Sequence, residues 1–481
     1  MYSRFIIFIW QHIWSWLLAA CFLLPGAAGA QVRWSMLDTD STQKVVIRNL
    51  LITGNKKTKE RIITREIIYH AGDSLSIEVL DKAILRSQSN LLNTNLFNFV
   101  ETNITGSNNQ ADITIIVKER WYIWPFPILE AVDRNFNEWY QTKDLSRLNY
   151  GMYVLHENFR GAKEKLQVNA RFGYSLRLGI NYSLPYIDKA QSMGLNFSAG
   201  TQQFREVPFK IIDNKLQFLT LEDGIARRET FGGMRYTYRK GIYSFANAFA
   251  EYRNIRINDS LIMLSPAYLG KSQRDFQLLI LGVSYRYENV DFNVYPLRGF
   301  VFSTEIMKQG IGLLQNEPDV TNASIGIRVF KPLSTRWHYA YSIRLRKYSY
   351  DKIPYYFQRG LGYGSEFVRG FELYVVNGNF HGVAKSCIKY SLLPQTKVKI
   401  NWIPTEKFNT IPLAFYININ ADAGYARDRY FFNENFLSNK MLASLGASFD
   451  VVTYYNLVWS FNYTFTNINR HGFYIHFSSP I

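Results

Sequence analysis

The feature that most constrains this 481-residue chain is a two-residue hydrophobic period, repeated in segments of about ten residues through its last three-quarters. Leu166, Val168, Ala170 and Phe172 alternate with Gln167, Asn169 and Arg171. Leu176, Leu178, Ile180, Tyr182 and Leu184 alternate with Arg177, Gly179, Asn181 and Ser183. Near the end, Leu457, Trp459, Phe461, Tyr463 and Phe465 alternate with Val458, Ser460, Asn462 and Thr464. One face of each segment is apolar and the other polar, and the length suits a tilted strand crossing a bilayer. Strands of a soluble sandwich alternate too, but typically run only about 5–6 residues. The pattern predicts an all-β transmembrane antiparallel barrel of about 16 strands over residues 121–481. Starts are expected near 149, 164, 176, 193, 229, 243, 277, 299, 322, 337, 355, 382, 412, 440, 456 and 471. Residues 206–228, 255–275 and 425–439 read as extracellular loops. Trp121, Trp124 and Trp139 read as an interfacial aromatic belt before the first strand.

After residue 30 no uncharged apolar run of about 18 residues occurs, which excludes a helical membrane protein. Residues 1–30 read as a secretory signal: Arg4, an apolar stretch from Phe5 to Leu24, then Pro25-Gly26 and the small residues Ala28-Gly29-Ala30. If Cys21 leaves with it, Cys387 is alone, so no internal disulfide and no cysteine zinc site is expected. The net charge of +17 would suit nucleic acid or an anionic membrane. The densest basic stretch is only the turn-like Asn55–Arg61, so nucleic acid is not an expected partner. Gly-x-Ser-x-Gly, a phosphate loop, a metal-ligand cluster and a usefully spaced carboxylate pair are all missing. Neither an enzyme nor a bound metal or cofactor is expected.

Ahead of the alternating region, residues 44–120 carry a different pattern. Val45, Ile47, Leu50 and Ile52 make a strand ending at Gly54-Asn55. Ile62, Ile63, Ile67 and Ile68 recur at helical spacing after Thr58. A second helix is expected from Ser76 as its cap, with Val79, Leu80, Ile84 and Leu85 on its apolar face. Strands from Val100 to Ile104 and Ile113 to Val117 follow, giving a βααββ order. In Gly54-Asn55, Gly72-Asp73, Leu96-Phe97 and Glu119-Arg120 this unit resembles the POTRA domain, which stands in the periplasm before outer-membrane barrels. The resemblance implies that its second-strand edge takes up client chains by strand addition. That edge would be Phe99, Val100, Glu101, Thr102, Asn103, Ile104 and Thr105.

Three barrel segments resemble the BamA-type outer-membrane assembly family, which also contains the two-partner secretion translocators. The sharpest is Val368-Arg369-Gly370-Phe371, inside Gly362–Phe371. The resemblance places it at the tip of a loop folded back into the barrel, with Arg369 paired to an inward Asp. Asp422, in Asp422-Ala423-Gly424, matches the partner, and alternation independently turns Asn418, Asn420 and Asp422 inward. A bidentate pair of this kind would pin a loop that lacks a packed core. Where the family often adds an inward Glu, this chain offers Lys389. The second segment, Asp291-Phe292-Asn293-Val294-Tyr295-Pro296-Leu297-Arg298-Gly299, carries Asp291, Pro296 and Gly299 and reads as a tight periplasmic turn. The third is the turn Glu157-Asn158-Phe159-Arg160-Gly161. At the C-terminus, Gly472, Phe473, Ile475 and Phe477 match the recognition pattern of a last barrel strand, with the three apolar residues facing lipid.

The resemblance implies a barrel in the outer membrane of a Gram-negative bacterium, with one POTRA unit in the periplasm. Expected partners are the outer-membrane bilayer and unfolded outer-membrane or secreted clients, with periplasmic chaperones or accessory lipoproteins as helpers. The expected activity is insertion of proteins through a weak seam between first and last strands, with Asn149–His156 as the weak first strand. The alternatives are a translocator that passes a partner polypeptide through the lumen, and a purely structural barrel.

Overall fold

A computed structural model describes residues 33–35, 44–107, 109–131, 148–350, 352–404, 408–430, 432–453 and 457–477. The 1–30 signal, Trp139 and the last four residues lie outside this set. The first unit contains β1 (Arg33–Ser35), β2 (Lys44–Thr53), α1 (Glu60–Thr64), β3 (Ser74–Ser76), α2 (Ile77–Asn93), β4 (Phe97–Ser107) and β5 (Gln110–Glu119). Its sheet runs β1-β4-β5-β2-β3, so the βααββ core gains a short strand at each edge. Ser76 caps α2 by accepting a hydrogen bond from the Val79 amide at 3.4 Å. Ile62, Ile63, Leu80, Ile84 and Leu91 are buried against Ile47, Phe97 and Ile113. Ile68, Val79 and Leu85, expected on the apolar faces, are exposed instead. Of the first helical pattern only five residues are helical, so Ile68 falls beyond its register.

The second unit is a sheet of 16 antiparallel strands. It begins with β6 (Ile123–Ala131), β7 (Leu148–Phe159), β8 (Glu164–Gly173), β9 (Leu176–Leu184) and β10 (Met193–Phe204). A separate hairpin, β11 (Glu206–Ile212) and β12 (Lys215–Thr220), interrupts it. The sheet resumes with β13 (Arg227–Lys240), β14 (Ser244–Ile257), β15 (Asp275–Val290), β16 (Gly299–Gln309), β17 (Val320–Pro332) and β18 (Trp337–Tyr348). It ends with β19 (Phe380–Lys399), β20 (Thr410–Arg427), β21 (Met441–Val452), β22 (Val458–Thr466) and β23 (His471–His476). The expected total holds because two errors cancel. The segment read as a belt around Trp121 and Trp124 contains the first strand, disguised by Pro125 and Pro127, which edge strands tolerate. The strand expected near 355 is a short 3-10 turn in a connection. The weak first strand expected at Asn149–His156 is therefore the second strand.

Burial is inverted relative to a soluble protein. Ile180, Ile306, Ile419, Leu445 and Phe465 point outward and are exposed, whereas Asn418, Asp422, Asp450, Ser460 and Asn462 point inward and are buried. An apolar exterior around a polar, filled interior is the arrangement a lipid-facing barrel requires. The chain direction puts the turns at 160–163, 241–243 and 291–298 on the side of the small unit, and the long connections on the far side.

The small unit lies against several of the near-side turns. The Lys59 amide donates to the Gly161 carbonyl at 2.9 Å, and Asn158 Nδ2 donates to Thr58 Oγ1 at 2.9 Å. This gives the Glu157–Gly161 turn its role. Asn93 Nδ2 reaches the Val290 carbonyl at 3.3 Å, and Lys397 Nζ sits 2.7 Å from Glu101 Oε1. The firmest link is Glu66, which accepts two hydrogen bonds from Arg239, at 2.6 and 2.7 Å, with both residues buried. Replacing Glu66 by Ala strands a buried guanidinium, and should weaken docking by about 3–5 kcal/mol. Faster protease release of the small unit from the barrel would report it.

Glu66 also gives docking a pH dependence. Burial pushes its pKa up, but Lys163, Arg239 and Arg65 outweigh that and hold it below the ordinary 4.5. A depressed carboxyl stabilises the docked state above its ordinary value, and that contribution is lost as pH falls through the lower docked-state value. Docking should thus be insensitive from neutrality to about pH 5 and weaken below about 4. Protease release measured against pH checks this.

Candidate functional site

The connection between β18 and β19 turns back into the barrel. It is braced by paired backbone hydrogen bonds between Leu361 and Val376, at 3.0 and 2.9 Å. At its tip the Phe371 amide donates to the Val368 carbonyl at 3.0 Å, closing a turn that aims Arg369 at β20. Arg369 is 0% exposed. Its Nε donates to Asp422 Oδ2 at 2.7 Å, its Nη2 to Asp422 Oδ1, and its backbone amide to Oδ2 at 3.1 Å. One carboxylate therefore holds both the fork and the backbone of the turn, the geometry that lets an ion pair survive burial.

The flanking residues have equally concrete reasons. A Cβ on Gly370 would lie 2.5 Å from Thr466 Cγ2, and its φ of +88° favours glycine. A Cβ on Gly424 would lie 2.4 Å from Val368 Cγ2, so in Asp422-Ala423-Gly424 the first residue binds the arginine and the last makes room for the valine. The loop does not lack a core, contrary to expectation: Leu361, Val368, Phe371 and Val376 pack with Val383 and Leu442. It has a second polar anchor too, where Glu366 meets Arg346 Nη2 at 2.8 Å and His381 Nε2 at 2.7 Å. Lys385, not Lys389, stands opposite Asp422 in the strand register.

A second arm enters from the near side. In the Asp291–Gly299 turn, Asp291 Oδ1 accepts from the amides of Phe292 (2.8 Å) and Leu297 (3.1 Å), which tightens the turn as expected. The turn nonetheless points into the lumen. Tyr295 is buried and stacks on Tyr416 with ring centroids 4.5 Å apart, and Lys389 Nζ lies 3.9 Å over its other face. The Tyr295 hydroxyl donates to Asp450 Oδ2 at 2.8 Å. Asp450 also accepts from Asn418 Nδ2 (2.7 Å) and from the Ser460 hydroxyl. Asn462 Nδ2 donates to Ser460 Oγ at 3.0 Å and lies 3.0 Å from His476 Nδ1 on the last strand. Sequence reasoning missed Tyr295 and Asp450. The available signal was the acidic residue at an inward position of β21, between outward Phe449 and Val451.

The first arm meets the last strand directly, and the second reaches it through the Asp450–Ser460–Asn462 chain. Phe367 stacks on His476 at 5.2 Å, and the Tyr474 hydroxyl donates to the Gly370 carbonyl at 3.2 Å. Phe473, Ile475 and Phe477 face outward and are exposed. On the far side, residues 206–228 are not a plain loop: the β11–β12 hairpin reaches across the barrel mouth. Its tip residue Asn214, 0% exposed, donates through Nδ2 to the Val375 carbonyl at 3.1 Å and accepts from the Leu437 amide at 2.8 Å. Among the described residues no ladder joins β6 to β23, so the sheet has a seam there.

A family profile described as "POTRA: Surface antigen variable number repeat" matches residues 45–120. Residues 45–120 are thus similar to a POTRA unit, and the sixteen-stranded barrel follows them. The barrel side of the comparison comes from solved structures. CdiB from Escherichia coli is 12% identical with a TM-score of 0.50, covering 90% of this chain and 75% of that one. BamA from Haemophilus ducreyi lacking POTRA domains 1–3 is 15% identical with a TM-score of 0.48, covering 90% and 83%. CdiB from Acinetobacter baumannii is 13% identical with a TM-score of 0.45, covering 90% and 74%. No curated protein matches the sequence. At this identity the E. coli CdiB likeness is one of fold.

Proposed function

We propose that this protein inserts or assembles client proteins in the outer membrane of a Gram-negative bacterium, with the POTRA domain in the periplasm, through the β6–β23 seam. The observation that carries this reading is a contrast. The lumen holds two inward arms and is capped by a hairpin, while among the described residues the strand pair that would seal the wall has no ladder. A seam exposes unpaired strand edges that a nascent strand can join, and a short last strand of six residues offers little resistance. The filled interior weighs against the alternative, a translocator using the lumen as its path. The Arg369–Asp422 pair then serves to brace the inner face of the last strands, not to catalyse.

Depletion of the protein followed by comparison of the outer-membrane proteome tests the reading. Broad loss of barrels is expected. Loss of one secreted polypeptide would point to translocation instead, and an unchanged proteome to a structural barrel. Photocrosslinkers on β6 should capture clients in the first case only. Accessory lipoproteins or chaperones would be recovered in the same crosslinks.

The POTRA edge at Phe99–Thr105 is proposed as the client's first contact. In the structure β1 already lies parallel along part of it, pairing Arg33, Trp34 and Ser35 with Asn103, Ile104 and Thr105. The chain's own segment therefore models the added strand, and being tethered it competes at roughly millimolar effective concentration. Trp34→Pro removes a ladder donor from β1, and should increase client crosslinking at Asn103 several-fold. Unchanged capture would count against strand addition there.

A further inference from the structure

The outward face of β18–β20 carries a feature that the insertion reading leaves unused. Down β18 the outward column runs Trp337, Tyr339, Tyr341, Ile343, Leu345, Lys347, from the near end to the far end. Lys347 stands opposite Phe380, and Phe380 opposite Arg427, so the two cations flank one ring across three strands, about 10 Å apart at the backbone. Together with Tyr350, Asn379 and Arg429 they line a cleft of 660 Å³ without a carboxylate in its wall. Several other basic side chains on the far rim are matched by acids: Arg256 with Asp275 at 2.8 Å, Arg274 with Asp259, and Lys308 with Asp319. Among the described residues Lys347 and Arg427 have no such partner.

Below the cleft, on the same three strands, lies a second depression of 410 Å³. Tyr339, Tyr341 and Ile343 wall one side, and Ala384, Ser386, Ala421 and Ala423 form a floor of small side chains. A positive cradle at the level of the headgroups, above an apolar trough at the level of the chains, complements an anionic lipid. Cations near the membrane surface attract anionic headgroups, and the trough would bury acyl methylenes that favour an apolar setting.

We propose that the outward face of β18–β20 is a binding site for a phosphate-bearing membrane lipid, with Lys347 and Arg427 on the phosphate and the Ala421–Ala423 trough on an acyl chain. The proposal rests on the lipid-facing orientation given above. It also places a lipid on the outer side of the strands whose inner side holds Asp422, so the pin and the lipid would bear on one piece of wall.

The test uses the full chain purified in a neutral detergent, with thermal unfolding followed by heat-modifiable mobility. Added phosphatidylglycerol should raise the midpoint by about 2–4 °C, and phosphatidylcholine should not. The doubly substituted Lys347→Gln/Arg427→Gln protein should lose that shift. Lys331→Gln, an exposed outward lysine at the opposite end of the wall, should keep it. Ala421→Trp, which fills the trough, should lose it with both cations in place. Equal shifts with the two lipids, a shift retained in the double variant, or the same shift from inorganic phosphate alone would overturn the proposal. A protein that embeds in vesicles of either lipid without preference fails this proposal only. One that embeds in neither fails the membrane reading beneath it.

Discussion

Replacing Arg369 by Ala is expected to free the inward loop while leaving the sixteen strands inserted. The substitution strands Asp422 without a counter-ion where both side chains have no solvent exposure. Removing one partner of such a pair costs about 3–5 kcal/mol, or roughly a hundredfold or more in the population of the open loop. Limited proteolysis within residues 349–379 should accelerate by that factor, with heat-modifiable mobility of the barrel unchanged. Arg369→Lys keeps the charge without the fork and should fall between. The Arg369→Ala/Asp422→Ala pair should cost less than the sum of its parts, because the stranded carboxylate is gone. Unchanged loop sensitivity together with full insertion activity would end the pinning role. Because the loop keeps its apolar cluster around Leu361 and Val376, the freed loop should loosen and not unfold.

Tyr295→Ala should act from the other side of the membrane. It removes a buried ring stacked on Tyr416, takes a donor from Asp450 and uncovers Lys389. Large-to-small changes of this kind cost about 3–5 kcal/mol in a packed setting, enough to withdraw the turn from the lumen. Single-channel conductance in planar bilayers should rise relative to the parent. Tyr295→Phe keeps the stack and loses only the hydroxyl, a cost of about 1–3 kcal/mol. It should leave conductance low, yet loosen the Asp450–Ser460–Asn462 chain and so increase hydrogen exchange in β22 and β23. Conductance unchanged in both variants would show that Tyr295 does not close the lumen.

Much of this was legible in order along the chain. Alternation such as Leu457–Phe465 predicts which face is outward, because lipid on one side and a polar interior on the other leave no alternative. Arg369 and Asp422 were legible through motif and parity together. The first strand was not, since Pro125 and Pro127 break the signature that its neighbours show. Nor was the 355 turn, where aromatic residues suited to strands are used to pack a far-side cap with Tyr268 and Phe276. The direction of the Asp291–Gly299 turn was hidden for a further reason. Asp291 and Gly299 specify a tight reversal, but whether it points to solvent or into the lumen depends on Tyr416, Lys389 and Asp450, which lie about 90–160 residues away.

The sequence alone determined the two-unit plan and the side of the wall that each alternating residue occupies, because these follow from local periods of backbone geometry. Tertiary structure alone decided what else fills the barrel beside the Arg369 loop: a second inward arm, a hairpin lid and a network reaching His476. Those contacts join residues distant in sequence, and their stability comes from mutual burial of polar groups that have no preferred partner until the wall has curled around them.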